Sequence, residues 1–222
     1  MAWAWRVPFA VGLLIVPVAL YIRRHVEEPE VFKEMQAAQA SGKARQIGIM
    51  EMLRTHARET LVGMGLVVTA TVSIYITFTY LVTYATVTLK LPMRDAFMVQ
   101  MAGAALMVVI MPFFGALSDR VGRRMLTIGS LIGYLVVLYP LYAWLTDGPT
   151  VQKLLITQLV VCVFVAVFFG VFSTVMAELF PPQVRSAGMS MAYNVAVMIF
   201  GGFAQFIVTW LIQKTGSPMA PT

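Results

Sequence analysis

Charge is scarce in this sequence. Asp, Glu, Lys and Arg make up only 12% of its 222 residues, about half the ~25% of an ordinary soluble domain. A soluble fold needs polar residues to cover its core, and this chain has too few. Cysteine is nearly absent as well: the single Cys162 stands inside an apolar run. That excludes an intrachain disulfide and a thiolate metal site of zinc type. The two histidines, His25 and His56, lie in the most polar stretch, with no ligand partners at useful spacing. Neither a metal ion nor a cofactor is implied.

What is present is apolar side chain. Hydrophobic residues reach 59% and the mean hydropathy is +0.82, so the lipid bilayer is the expected solvent. A net charge of +6 could suggest nucleic acid. The basic residues, however, sit in short clusters between apolar runs, which is the pattern of membrane topology, and no nucleic-acid partner is expected.

A helix needs about 20 mostly apolar residues to cross a hydrocarbon layer of roughly 30 Å. Six runs are candidates, the first of them short: about Val7–Ile22, Leu61–Tyr84, Ala96–Leu117, Met125–Leu145, Leu154–Leu179 and Met189–Leu211. The expected fold class is therefore all-α, a polytopic transmembrane helical bundle. No run carries a charge deep in its middle; Glu178 comes near an end, and Asp95 and Asp119 fall outside. The first run does not read as a cleavable signal peptide. Arg23, Arg24 and His25 follow it with no small-residue cleavage site, so it reads as a membrane helix with a basic stop. The long stretch Arg23–Thr60 mixes both signs of charge with too few apolar residues for a core, and reads as interfacial helices or a solvated linker.

Loop charge sets orientation. The side holding Arg23–Thr60 also holds Ser118–Arg124 and Phe180–Gly188, and carries eleven Lys and Arg against five on the other. The long linker is thus expected in the cytoplasm of a cell with an inner (plasma) membrane, with both termini outside.

The most specific segment is Gly115-Ala116-Leu117-Ser118-Asp119-Arg120-Val121-Gly122-Arg123-Arg124. Gly115 would let two helices approach closely at the membrane surface. Asp119 and Gly122 suit a tight turn, and three arginines can pair with acidic helix ends nearby. This segment resembles the signature loop of the major facilitator superfamily, G-x-L-x-D-R-x-G-R-R, found between the second and third helices of each six-helix half. Trp5-Arg6-Val7-Pro8-Phe9, Leu20-Tyr21-Ile22-Arg23-Arg24 and Glu27-Glu28-Pro29 resemble the sixth helix and central-loop start of the metabolite:proton symporter family. Glu178-Leu179-Phe180-Pro181, Val184-Arg185, Gly188, Tyr193-Asn194 and Phe200-Gly201-Gly202 resemble that family's tenth and eleventh helices.

The resemblance implies that residues 1–24 correspond to family helix six, 25–60 to the cytoplasmic central loop, and 61–222 to a C-terminal bundle without its last helix. Helices one to five would be missing too, making this chain a fragment of a transporter for citrate, oxoglutarate, shikimate, proline or betaine. The run Thr79–Lys90 is nearest the citrate-type members. It further implies a cytoplasmic gate in which Asp119 meets a facing helix end, Arg123 or Arg124 pairs with Glu178, and Arg185 joins them, around Gly115, Arg120 and Gly122. The partners of the full-length parent would be a small-molecule substrate and a proton; no oligomeric state follows.

Substrate contacts are sought among polar groups at membrane depth. Tyr75 and Thr79 lie near the middle of the second run, and Tyr80 and Tyr84 stand four apart on one face beside Thr83. Near the span end, Tyr84 is read as part of an interfacial aromatic belt, and Tyr75, Thr79 and Tyr80 as cavity candidates. Tyr193, Asn194 and Gln205 should face protein or a cavity, since unpaired polar groups in lipid are costly. No run holds an Asp or Glu able to shuttle a proton, so that role is expected in the missing half. Two other functions are conceivable for such a chain. A membrane-embedded enzyme would need a cluster of His, Asp, Ser or Cys that Cys162 and Ser173 do not form, so no enzyme is expected. A non-transporting relic or scaffold derived from a transporter is the alternative.

Overall fold

The computed structural model describes residues 6, 9, 12, 13, 15–25 and 49–217, and the chain divides into two compact units, Met1–Ile47 and Gly48–Thr222. In the first unit, helix α1 (Ile15–His25) exposes Ile15, Val16, Val18, Leu20 and Ile22. It covers the later part of the first expected span. The rest of that span falls mostly outside the described residues, as does residue range 26–48 of the expected central loop.

The second unit is built from helices α2 (Ile49–Thr55), α3 (Ala57–Ile74), α4 (Leu81–Thr83), α5 (Met93–Val121), α6 (Arg123–Thr146), α7 (Val151–Leu179), α8 (Arg185–Ala196) and α9 (Gly202–Thr215). Five described stretches are long and apolar enough to cross a membrane: Ala57–Thr79, Met93–Val121, Arg123–Thr146, Val151–Leu179 and Arg185–Thr215. They overlap the last five expected runs and begin two to four residues earlier; the first ends at Thr79 rather than at the expected Tyr84. Among the described residues of this unit, three places depart from regular α-helix. Wider π-helical turns occupy Tyr75–Thr79, Tyr84–Thr88 and Val197–Gly201. Each closes with an N–H reaching five residues back: Tyr80 to Tyr75, Leu89 to Tyr84, and Gly202 to Val197.

Helix α7 lies at the centre. In its most apolar window 56% of residues are buried, against 17% for α5 and α6, which leave most of their apolar surface to lipid. Lipid is as apolar as leucine, so burial alone does not hold such helices together; close packing of small residues does. Along the α5–α7 crossing Gly103 rests on Cys162 and Gln158, and further down Gly115 faces Gly170. A Cβ at Gly170 would lie 2.7 Å from the Met111 carbonyl oxygen, so the two backbones nearly touch there. On α6, Gly133 receives the Phe164 ring of α7. The α3–α8 pair uses a stripe of buried small residues four apart, Gly188, Ala192 and Ala196, against Gly63 and Val67. Close approach at Gly115 was expected from the sequence; its partner Gly170 was not.

The main core joins the stretch after α3, through Tyr80 and Tyr84, to α5 through Val99 and Met107, α6 through Tyr142 and Leu145, and α7 through Leu154 and Cys162. Tyr80 and Tyr84 do share one face, with ring centroids 6.3 Å apart. That face is interior. Tyr84 is 2% exposed and stacks against Tyr142 at 5.6 Å, which corrects its reading as an interfacial residue.

Replacing Gly170 with Val should separate α5 from α7 and lower stability by about 1–3 kcal/mol, the usual cost of overpacking. The same change at Gly129, where an added Cβ meets nothing within 4 Å, should leave the melting temperature in detergent nearly unchanged. Equal losses at both positions would refute the backbone contact.

Candidate functional site

Two features stand out on the bundle: a charged cluster at one end and an open groove on one side. The cluster begins at the turn between α5 and α6. Gly122 has φ +101°, a conformation an L side chain rarely adopts. That single residue lets two helices of 29 and 24 residues reverse direction with almost no loop. The reversal puts Asp119 in the last turn of α5 one turn from Arg123 at the start of α6. Arg123 Nη2 donates to Asp119 Oδ1 at 3.1 Å, and Nη1 pairs with Glu178 Oε1 near the end of α7. One guanidinium therefore ties the ends of three helices, a bidentate use that suits arginine's rigid fork.

The electrostatics of this cluster are unusual. Asp119 and Glu178 sit at C-terminal helix ends, where the backbone dipole is negative, and Arg123 at an N-terminal end, where it is positive. Each charge lies at the unfavourable end of its own helix dipole, a cost that the ion pairs offset. Arg123 is 33% exposed and its partners more so, which leaves the cluster open to water and to rearrangement.

The remaining members are placed around it. Arg120 and Arg124 are exposed, while Gly115 lies in the α5–α7 crossing. Arg185 starts α8, and its Nε donates to the Phe180 carbonyl oxygen at 3.3 Å, across the α7–α8 turn, rather than reaching the Arg123 cluster. Phe180 itself is 1% exposed. Its ring fills the space left by Gly63 on α3 and Gly188 on α8, which explains why Phe180, Arg185 and Gly188 occur together.

The groove opens between α3, α7 and α8. A pocket of about 350 Å³ is lined by Phe172, Ser173, Met176, Ser190, Tyr193 and Asn194, among others. A second, of about 140 Å³, is lined by Thr71, Tyr75, Phe169 and Val197 and shares Phe172 and Tyr193 with the first. Tyr75, Tyr193 and Asn194 are thus brought together on one surface. Thr79 is exposed, Tyr80 belongs to the core, and Gln205 is exposed on α9; none of these three lines the groove. Asn194 Nδ2 donates to the Ser190 carbonyl oxygen at 2.7 Å, leaving its side-chain oxygen as an acceptor.

Two residues passed over in the sequence bear on the groove. Gln158 on α7, 3% exposed, donates from Nε2 to the Thr77 carbonyl oxygen at 3.0 Å, and Gln100 on α5 donates to that of Phe78 at 2.9 Å. The signal that singled out Gln205, an amide at membrane depth, applies equally to both.

Residues 20–221 match the family described as Sugar (and other) transporter. The chain is 30% identical over 219 residues to the citrate-proton symporter of Salmonella typhi, covering 99% of this chain and 49% of that protein. The corresponding figures for the citrate-proton symporter of Klebsiella pneumoniae are 32%, 99% and 48%. For the ectoine/proline transporter ProP of Corynebacterium glutamicum they are 26%, 99% and 45%. The chain thus spans about half the length of the curated relatives it matches. No solved structure gives a significant match.

A double-mutant cycle on Arg123→Ala and Glu178→Ala should return a coupling of about 0.5–1 kcal/mol in thermal stability, as expected for a half-exposed ion pair. Arg123→Lys should recover less than half of it, since an ammonium cannot fork between two carboxylates. Full recovery by lysine would show that charge alone, without the fork, accounts for the contact.

Proposed function

Because the chain belongs to the sugar (and other) transporter family of the major facilitator superfamily, we propose that it forms the second, gated half of a proton-coupled symporter. The solute on this reading is a small organic acid or osmolyte, with a citrate-like carboxylate favoured. The chain is membrane-integral and a transporter component rather than an enzyme. Residues 1–24 act as the sixth helix of the full-length protein and 25–60 as its central loop in the cytoplasm, with residues 61–222 forming the following bundle in an inner membrane.

The observation that carries this reading is the cluster of Arg123 with Asp119 and Glu178. It joins helix ends through ion pairs that oppose three helix dipoles, so a modest competing interaction can open it. Opening and closing at one end of a groove is what alternating access requires of each half. Arg120, Arg124 and Arg185 supply positive charge around the same end, and Gly115 and Gly122 give the helices their close crossing and tight turn. The groove supplies one wall of the solute path. Tyr75 and Tyr193 present hydroxyls, Asn194 an amide and Ser173 and Ser190 further hydroxyls, groups able to hydrogen-bond a carboxylate. The preference for citrate rests on the two citrate-proton symporters among its relatives.

Cells expressing the full reading frame that encodes this chain should take up labelled citrate, and a protonophore should abolish the uptake. Uptake of proline or betaine in place of citrate would move the substrate to the osmolyte class; uptake indifferent to the proton gradient would overturn symport. Asp119→Asn should slow uptake about three- to tenfold at unchanged expression, the effect of roughly 1 kcal/mol on a gate equilibrium. Unchanged rates would remove the cluster from the gate.

A further inference from the structure

We propose that Gln158 and Gln100 are positioning residues: their side-chain amides hold the π-helical turn Tyr75–Thr79 in place and so set Tyr75 beside Tyr193 in the groove. The inference rests on the groove being the solute path for its consequence, though not for its geometry.

A π-helical turn widens the backbone and inserts extra residue length into the helix. It shifts the rotational phase of everything that follows and is stable only where its surroundings compensate. In lipid the compensation is demanding, because no water is available for a loosened carbonyl. Here two amides supply it from two different helices. Gln158 of α7 reaches the Thr77 carbonyl, and Gln100 of α5 reaches the next one, at Phe78. These partners are 81 and 22 residues away in the chain, so the contacts are tertiary clamps rather than local turns. Gln158 is fixed in turn, since its Nε2 also meets Cys162 Sγ at 3.4 Å and its stem packs against Gly103.

The clamped turn begins at Tyr75, and Tyr75 lies against a second π-helical turn. A Cβ at Gly201 would stand 3.2 Å from Thr71 Cγ2 and 3.4 Å from Tyr75 Cε2. Val197, at the start of that second turn, lines the same pocket as Tyr75, Phe172 and Tyr193. Two widened turns therefore meet at the groove wall, and only the one in the α3–α4 stretch carries amide clamps from other helices among the described residues. If the clamps release, the turn can revert toward regular α-helix. With Tyr80 and Tyr84 held in the core beside Tyr142, the change of phase would fall on the Tyr75 side and turn Tyr75 away from Tyr193, while the glycine crossings keep the bundle assembled.

The test uses Gln158→Leu and Gln100→Leu made separately in the full reading frame. Leucine approximates glutamine's volume without its donor, and the less buried Gln100 provides a second variant should the Gln158 change impair folding. Backbone hydrogen exchange across residues 75–84 should accelerate about fivefold in each variant, the ratio given by one hydrogen bond of ordinary net strength. Exchange in α6 and α9 should stay within twofold of wild type. Tyr75→Cys with Tyr193→Cys should crosslink through a short bifunctional thiol reagent, and adding Gln158→Leu should reduce the yield severalfold. Uptake should show an apparent KM raised about tenfold with maximal rate within twofold, the mark of lost binding rather than a damaged fold. Gln158→Glu, which donates when protonated, should return exchange toward wild type in acid. Unchanged exchange in both leucine variants, or unchanged crosslinking, overturns the clamp whatever uptake does. Altered exchange and crosslinking with an unaltered KM support the clamp and instead remove the groove from the solute path.

Discussion

The contact of Gly115 with Gly170 brings the backbones of α5 and α7 to within van der Waals reach, and much else in the bundle depends on it. Helices in lipid gain little from burying apolar surface against one another, so their association relies on fit. With no side chain on Gly103, Gly115 or Gly170, α5 and α7 can approach closely from Gly103, opposite Cys162, to Gly115, opposite Gly170. This close crossing fixes where the two helices end. Asp119 follows Gly115 by one turn on α5, and Glu178 follows Gly170 by about two turns on α7. Arg123, thrown back by the glycine turn at 122, then finds both carboxylates within reach. The motif residues are chemically unlike because they serve different steps of one construction: approach, reversal and pairing.

The same crossing holds Gln100 and Gln158 near the axis of the bundle, where they meet the widened turn of the α3 stretch. Tight packing elsewhere makes this local looseness tolerable. A bundle whose helices are joined by glycine contacts can hold one irregular segment without losing its shape, provided the carbonyls of that segment find donors. The groove lies on the α3–α8 side, away from the tightest crossing, and its walls include two of the three π-helical turns. Rigidity and adjustability are thus segregated. The α5–α7 axis is fixed by backbone contact, while the groove wall includes a segment, Tyr75–Thr79, whose carbonyls are met by side chains of other helices.

How much of this was legible in the sequence follows from the range of each signal. Hydropathy is local and strong, and five expected spans match described helices to within a few residues. The turn at Gly122 was legible because only glycine accepts its backbone angle cheaply, and the pairing capacity of Arg123 because the charges are few. Gly170 was not, since nothing local separates it from the other glycines in apolar runs. Its role appears only when Met111 and Gly115 arrive opposite it. The tyrosines failed for a different reason. Tyr75 and Thr79 were both expected to face a cavity, yet Tyr75 lines the groove and Thr79 is exposed. A π-helical turn between them breaks the 3.6-residue period on which face assignment depends. No hydropathy pattern encodes that turn; it is made by amides from α5 and α7.

This failure of periodicity is itself informative about where function can be placed in such a bundle. A regular α-helix presents the same stripe to its neighbour along its whole length, so residues that pack the core and residues that face a path must alternate around one fixed axis. A widened turn removes that restriction. Above it, in the stretch from Tyr80 to Tyr84, the helix turns its tyrosines into the core against Tyr142. At its first residue, Tyr75 lines the same pocket as Tyr193. One helix therefore contributes aromatic side chains both to the most buried packing layer and to the open groove, within six residues of chain. The two roles are coupled through the Thr77 and Phe78 carbonyls, because any change in the turn moves the groove tyrosine relative to the core tyrosines that anchor it. A displacement of Tyr75 is thereby linked mechanically to α5 and α7, whose far ends carry Asp119 and Glu178.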